Sequence, residues 1–177
     1  AFLLLAAAAM LSLGDTGAAE PRTIVFFGDS LTAGYGLPNP GAEAYPALIQ
    51  SKLDASRPGW RVVNAGLSGE TTSGGLRRID WTLRSPVDVF VLALGANDGL
   101  RGIDPELSQR NLEQIIQRVR AKYPRVQVVV AGMQLPPEMG ADFTREFGGM
   151  FAEVAKSCDA VLIPFLLEGV GGRPELN

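Results

Sequence analysis

Thr23-Ile24-Val25-Phe26-Phe27-Gly28-Asp29-Ser30-Leu31-Thr32-Ala33-Gly34 decides the fold class. A β-branched and aromatic run stops at Gly28, and an acid and a hydroxyl follow at once. This is the pattern of a buried strand whose C-terminal tip carries a functional turn. In open α/β sheets ligands sit in the crevice beyond the carboxyl ends of the strands. A serine at that tip is a candidate nucleophile. The same residues also suit a plain strand-to-helix loop, with Asp29 or Ser30 capping the next helix.

Downstream, short apolar runs alternate with amphipathic stretches. Strands are expected at 23–27, 61–63, 87–94, 126–131 and 160–163. Helical spacing is carried by Tyr45, Leu48, Ile49 and Leu53, and then by Leu76, Ile79 and Leu83. Asp104 and Pro105 open a longer helix whose stripe is Leu112, Ile115, Ile116 and Val119, and Pro124 stops it. Phe143, Phe147, Met150, Phe151 and Val154 mark a fourth helix. Regular alternation of this kind predicts a three-layer α/β/α domain around a five-stranded parallel sheet.

Composition bounds the function. The chain has 177 residues, 46% of them hydrophobic and 20% charged, which suits one globular domain with a core. A net charge of −3 argues against nucleic acid, which demands a basic face. Cys158 is the single cysteine and histidine is absent, so neither a disulfide nor a Cys/His metal site is expected. Residues 1–13 form an apolar run shorter than the roughly 20 residues a membrane span requires. With the small residues Gly17, Ala18 and Ala19 it reads as part of a secretory signal peptide cut after Ala19. The mature protein, from residue 20, is then expected to be periplasmic or secreted, without a stable membrane span, and a monomer.

Three strand tips carry chemistry-bearing residues: Gly28-Asp29-Ser30-Leu31, Asn64-Ala65-Gly66-Leu67-Ser68-Gly69-Glu70-Thr71 and Gly95-Ala96-Asn97-Asp98-Gly99. Parallel strands send all three to one edge of the sheet. A hydroxyl, a glycine-flanked backbone and an uncharged amide then meet. That set suits acyl transfer, in which an oxyanion needs donors already aimed at it. The N–H groups of Ser30 and Gly69 and the Asn97 amide are the candidates. Met133, Leu135 and Pro136, with Met139, lie on the loop after the fourth strand and are candidates for an acyl or aryl pocket, or for packing on the core.

These blocks, in this order, resemble the SGNH/GDSL hydrolases, and within them the periplasmic esterases that act as acyl-thioesterase, lysophospholipase and arylesterase. Val63-Asn64-Ala65, Asn97-Asp98-Gly99-Leu100-Arg101-Gly102 and Ile163-Pro164-Phe165 support that subgroup. The resemblance implies a flavodoxin-like strand order, Ser30 as nucleophile, Gly69 and Asn97 in the oxyanion hole, and Asp29 and Asp98 organising the loops. It implies a small ester or thioester substrate and no cofactor. The family's Asp-x-x-His block, source of the base, has no counterpart here. It and the final helix are expected beyond Asn177, which makes the sequence a fragment open at both ends and inactive by itself.

Two other classes fit less of the sequence. One is an acyl- or glycan-binding module that kept the site without the base. The other is a flavodoxin-like cofactor or phospho-acceptor domain, with Ser30 to Gly34 as a loose phosphate loop. The fifth strand ends in Ile163-Pro164-Phe165, where a receiver domain would place a lysine.

Overall fold

A computed structural model describes residues 20–173. The expected signal peptide, residues 1–19, lies outside them. The strands are β1 (Arg22–Gly28), β2 (Trp60–Asn64), β3 (Val89–Ala93), β4 (Gln127–Ala131) and β5 (Val161–Ile163). The helices are α1 (Ser30–Ala33), α2 (Pro40–Glu43), α3 (Tyr45–Ser56), α4 (Thr72–Thr82), α5 (Ala96–Leu100), α6 (Pro105–Lys122) and α7 (Ala141–Ser157). A single 3-10 turn, Pro137–Met139, precedes α7.

All five strands are parallel, in the order β2-β1-β3-β4-β5. The chain steps from β1 outward to β2, then returns to the other side of β1 to lay down β3. The direction of winding therefore reverses between β1 and β3, and such a switch point leaves a crevice above the two strand tips.

Register explains the layers. Val25 pairs with Phe90 and Phe27 with Leu92, while Phe90 pairs with Val128 and Leu92 with Val130. These residues share one face, because side chains alternate along a strand. They form the main core with Ile79 of α4, Leu112, Ile115, Ile116 and Val119 of α6, and Phe147, Phe151 and Val154 of α7. On the opposite face Phe26 meets Tyr45 of α3 edge-on, with ring centroids 5.3 Å apart. The arrangement is α/β/α, as the alternation predicts.

Differences from the sequence reading are local. α1 and α5 occupy stretches read as strand-tip turns, and α2 falls in a stretch given no element, since segments of four or five residues are too short to show a period. Val87 and Leu94 are buried but lie just outside β3. Leu48, expected in the buried stripe of α3, is 50% exposed. That helix packs beside the edge strand β2, so it has less sheet to cover than α6.

Candidate active site

The β1 tip sets the geometry. Asp29 caps α1, and its Oδ1 accepts the Leu31 N–H at 3.0 Å. Gly34 closes that turn in the left-handed region. Asp29 is the cap that the loop reading of this stretch expects, and Ser30 is left half-buried at the helix start. Among the described residues neither the Ser30 hydroxyl nor its N–H has a protein hydrogen-bond partner.

The segment after β2 folds onto this tip. Leu67 N–H donates to the Gly28 carbonyl at 3.0 Å, and Glu70 N–H donates to the Leu67 carbonyl at 3.1 Å. Gly69 stands at the third position of that turn with φ +78°, where any side chain would strain the backbone. Gly66 is needed for space: a Cβ there would come within 2.3 Å of the Ala33 nitrogen. The Gly69 N–H also lacks a protein acceptor among the described residues. The Gly69 carbonyl accepts from Arg101 Nη2 at 3.0 Å.

The β3 tip supplies the third part. Asn97 Nδ2 donates to the Glu70 carbonyl at 3.0 Å and lies 3.5 Å from Asp29 Oδ2. One amide hydrogen is thereby held by the Gly69–Glu70 segment, and the other makes only a long contact. Asp98 is fully buried. Its carboxylate accepts from Thr72 N–H at 2.8 Å, Thr72 Oγ1 at 2.6 Å and Ser108 Oγ at 3.2 Å. It ties the β3 tip to the starts of α4 and α6. Asn111 Nδ2 completes the set by donating to Thr72 Oγ1 and Ser73 Oγ.

Burial pushes the Asp29 carboxyl above the ordinary aspartate range. The Leu31 N–H opposes this, while the Asp98 and Glu70 charges add to it. Burial likewise raises the Tyr45 phenol, with the bond from Thr32 opposing. Tyr45 OH and Thr32 Oγ1 are 2.8 Å apart, and Asn64 Nδ2 donates to the Thr32 carbonyl at 2.7 Å. α1 is thus fastened to α3 and to the end of β2.

A cleft of about 220 Å³ opens beside Ser30 and Asn97, walled by Leu31, Leu100, Met133, Leu135 and Leu167. Ser30, Asn97, Met133 and Leu135 therefore share one cavity. Gly69 and Pro136 lie outside the lining: Gly69 is joined to Asn97 through the carbonyl of its neighbour Glu70, and Pro136 is exposed. A larger hollow of about 410 Å³ between α2, α3 and β2 has no charged side chain in its wall. Sequence reasoning missed Glu70, Arg78, Arg101 and Leu167. Their parts depend on contacts between segments far apart in the chain, which no local pattern records. Among the described residues no group of three or more acidic, His or Cys side chains is placed to hold a metal. No helix among them is long and apolar enough to cross a membrane.

Residues 26–176 match the GDSL-like lipase/acylhydrolase family. The chain belongs to that family. Among its GDSL-like relatives is the esterase TesA of Pseudomonas aeruginosa, 38% identical over 173 residues that cover 97% of this chain and 83% of that protein. Thioesterase 1/protease 1/lysophospholipase L1 of Escherichia coli is 35% identical, covering 89% of this chain and 73% of its own length. Among solved structures, AlinE4, an SGNH-hydrolase family esterase, superposes with a TM-score of 0.83 at 40% identity, covering 89% of this chain and 83% of that one. The GDSL-like fold is shared ground. The roles of individual residues rest on the geometry above.

Proposed function

We propose that this domain hydrolyses carboxylic esters or thioesters through an acyl-enzyme on Ser30. The observation that carries the reading is that Ser30 and Asn97 line one cleft, with the Gly69 turn joined to Asn97 through the Glu70 carbonyl. Ser30 Oγ attacks the acyl carbonyl, and the carbonyl oxygen becomes an anion. The N–H groups of Ser30 and Gly69 receive it, together with the Asn97 amide hydrogen that otherwise makes only the long contact to Asp29. Neutral donors fixed beforehand stabilise such a charge by roughly 3 kcal/mol each. The intermediate collapses, expels the alcohol or thiol, and leaves an ester on Ser30 that water then cleaves. No cofactor enters the scheme.

The apolar cleft wall suits an acyl chain or aryl ring, in keeping with the esterase and thioesterase names of the relatives. Pro136 is assigned to its outer rim. The leader-like residues 1–19 support a periplasmic or secreted location, with residues 20–177 as the hydrolase domain.

The attack requires a base that takes the Ser30 hydroxyl proton and delivers it to the departing oxygen or sulfur. None of the 177 residues is a histidine. Asp29 is committed to the Leu31 N–H. Residues 20–177 by themselves are therefore expected to show essentially no turnover, since loss of the base from a serine hydrolase costs about 10⁶ in kcat. The same lack favours a second reading, a binding module that holds acyl groups without cleaving them. Assay of the full-length gene product with p-nitrophenyl butyrate separates the two. Turnover that disappears in Ser30→Ala supports the hydrolase; tight binding of the ester with no turnover in the wild type supports the module.

A further inference from the structure

We infer that Arg78 is a positioning residue that holds all three oxyanion donors in one arrangement; this rests on the hydrolase reading above. Arg78 projects from the second turn of α4 and touches the β1 tip and the segment after β2 without lying in the cleft; the β3 tip is reached through Glu70, whose carbonyl holds the Asn97 amide. Its Nη2 donates to the Ala65 carbonyl at 2.8 Å and reaches the Gly28 carbonyl at 3.4 Å. Its Nε donates to Glu70 Oε2, and the two side chains form a largely buried ion pair. The guanidinium lies over the Phe27 ring, 4.0 Å from its centroid.

Each contact bears on one donor. Gly28 lies two residues before Ser30 and sets the direction in which the Ser30 N–H points. Ala65 and Glu70 bracket the turn that presents the Gly69 N–H. Glu70 also offers the carbonyl that orients the Asn97 amide. The Glu70 side chain can fold back to the guanidinium because residue 74 is glycine; a Cβ there would stand 3.1 Å from Glu70 Oε1. A planar fork satisfies these directions together and stacks on an aromatic face. An ammonium is a point charge without that geometry.

The test uses the full-length gene product carrying Arg78→Lys, Arg78→Met, Arg78→Ala or Ser30→Ala. Folding is checked by melting, and p-nitrophenyl butyrate gives kcat and KM. A trifluoromethyl ketone, which forms an oxyanion adduct on a serine, and butyrate, the product acid, are measured as inhibitors. Arg78→Met is expected to lower kcat by about 10²-fold and Arg78→Lys by about tenfold, with KM within about threefold. Ketone affinity should fall in step with kcat/KM while butyrate inhibition stays. Added guanidinium should restore part of the activity of Arg78→Ala. Should Arg78→Met fail to fold, Arg78→Lys decides. Folded variants with kcat within about twofold of wild type overturn the inference. So does a fall in kcat that leaves ketone affinity unchanged, because misplaced donors must weaken both. Turnover surviving in Ser30→Ala defeats the hydrolase reading and this inference with it. An inactive Ser30→Ala beside unimpaired Arg78 variants defeats this inference alone.

Discussion

The Asn97 side-chain amide donates to the Glu70 carbonyl at 3.0 Å, which joins the β3 tip to the residue next to Gly69. One hydrogen is spent on orientation; the other makes a 3.5 Å contact to Asp29 Oδ2 and, in the proposed reaction, turns to the substrate oxygen. Asn97→Ala removes that donor and is expected to lower kcat by about 10²- to 10³-fold with little change in KM. Asn97→Asp should be at least as impaired, because a carboxylate repels a developing anion. Steady-state kinetics on the full-length gene product check both.

Asp29 makes a pH prediction. Its native carboxyl holds its proton to higher pH than the ordinary 3.8, chiefly through burial. Below that value both states are protonated and the stability is fully present. As pH rises, the unfolded chain ionises first, and stability is lost through the native pKa. An amide at position 29 would not ionise, and its oxygen can still accept the Leu31 N–H. The melting temperature of Asp29→Asn relative to wild type should therefore climb between about pH 3 and pH 7. A difference that stays flat with pH contradicts the assignment.

Asp98 is expected to matter for stability before chemistry. Asp98→Ala strands two donors, Thr72 N–H and Thr72 Oγ1, in a fully buried site and leaves Ser108 Oγ only the Asp104 carbonyl. A loss of about 2–4 kcal/mol in urea unfolding is expected. Asp98→Asn retains one acceptor oxygen and should lose less.

Gly99 connects packing to the cleft. A Cβ there would come within 2.6 Å of Leu135 Cδ2 and 2.7 Å of Phe147 Cε2. Gly99→Ala is expected to cost about 1–3 kcal/mol through overpacking. Leu135 walls the cleft, so its displacement should also change KM across a series of p-nitrophenyl esters. Melting curves and that KM series test the two effects separately.

The layers were legible because burial leaves a period. Leu112, Ile115, Ile116 and Val119 recur at helical spacing and all are buried against the sheet. The strand tips were legible because Gly, Asp, Ser and Asn break apolar runs where the backbone must turn. α1 and α5 escaped notice because one turn of helix carries no period. Arg78 escaped because its partners, Gly28, Ala65 and Glu70, lie 50, 13 and 8 residues away. On a helix surface an arginine in water and one clamping two backbone carbonyls and a carboxylate look alike in sequence. Leu167 was missed for a similar reason: only the fold brings the segment after β5 back over the cleft.

In the proposed reaction Ser30 becomes covalently acylated. A p-nitrophenyl phosphonate ester reacts with an activated serine and remains attached, so the full-length gene product should release one p-nitrophenolate per molecule and lose esterase activity in step. Peptide mass spectrometry should then find the phosphonyl group on the peptide that contains Ser30. Ester turnover that persists with Ser30 unmodified, or an adduct on a different residue, would contradict the account.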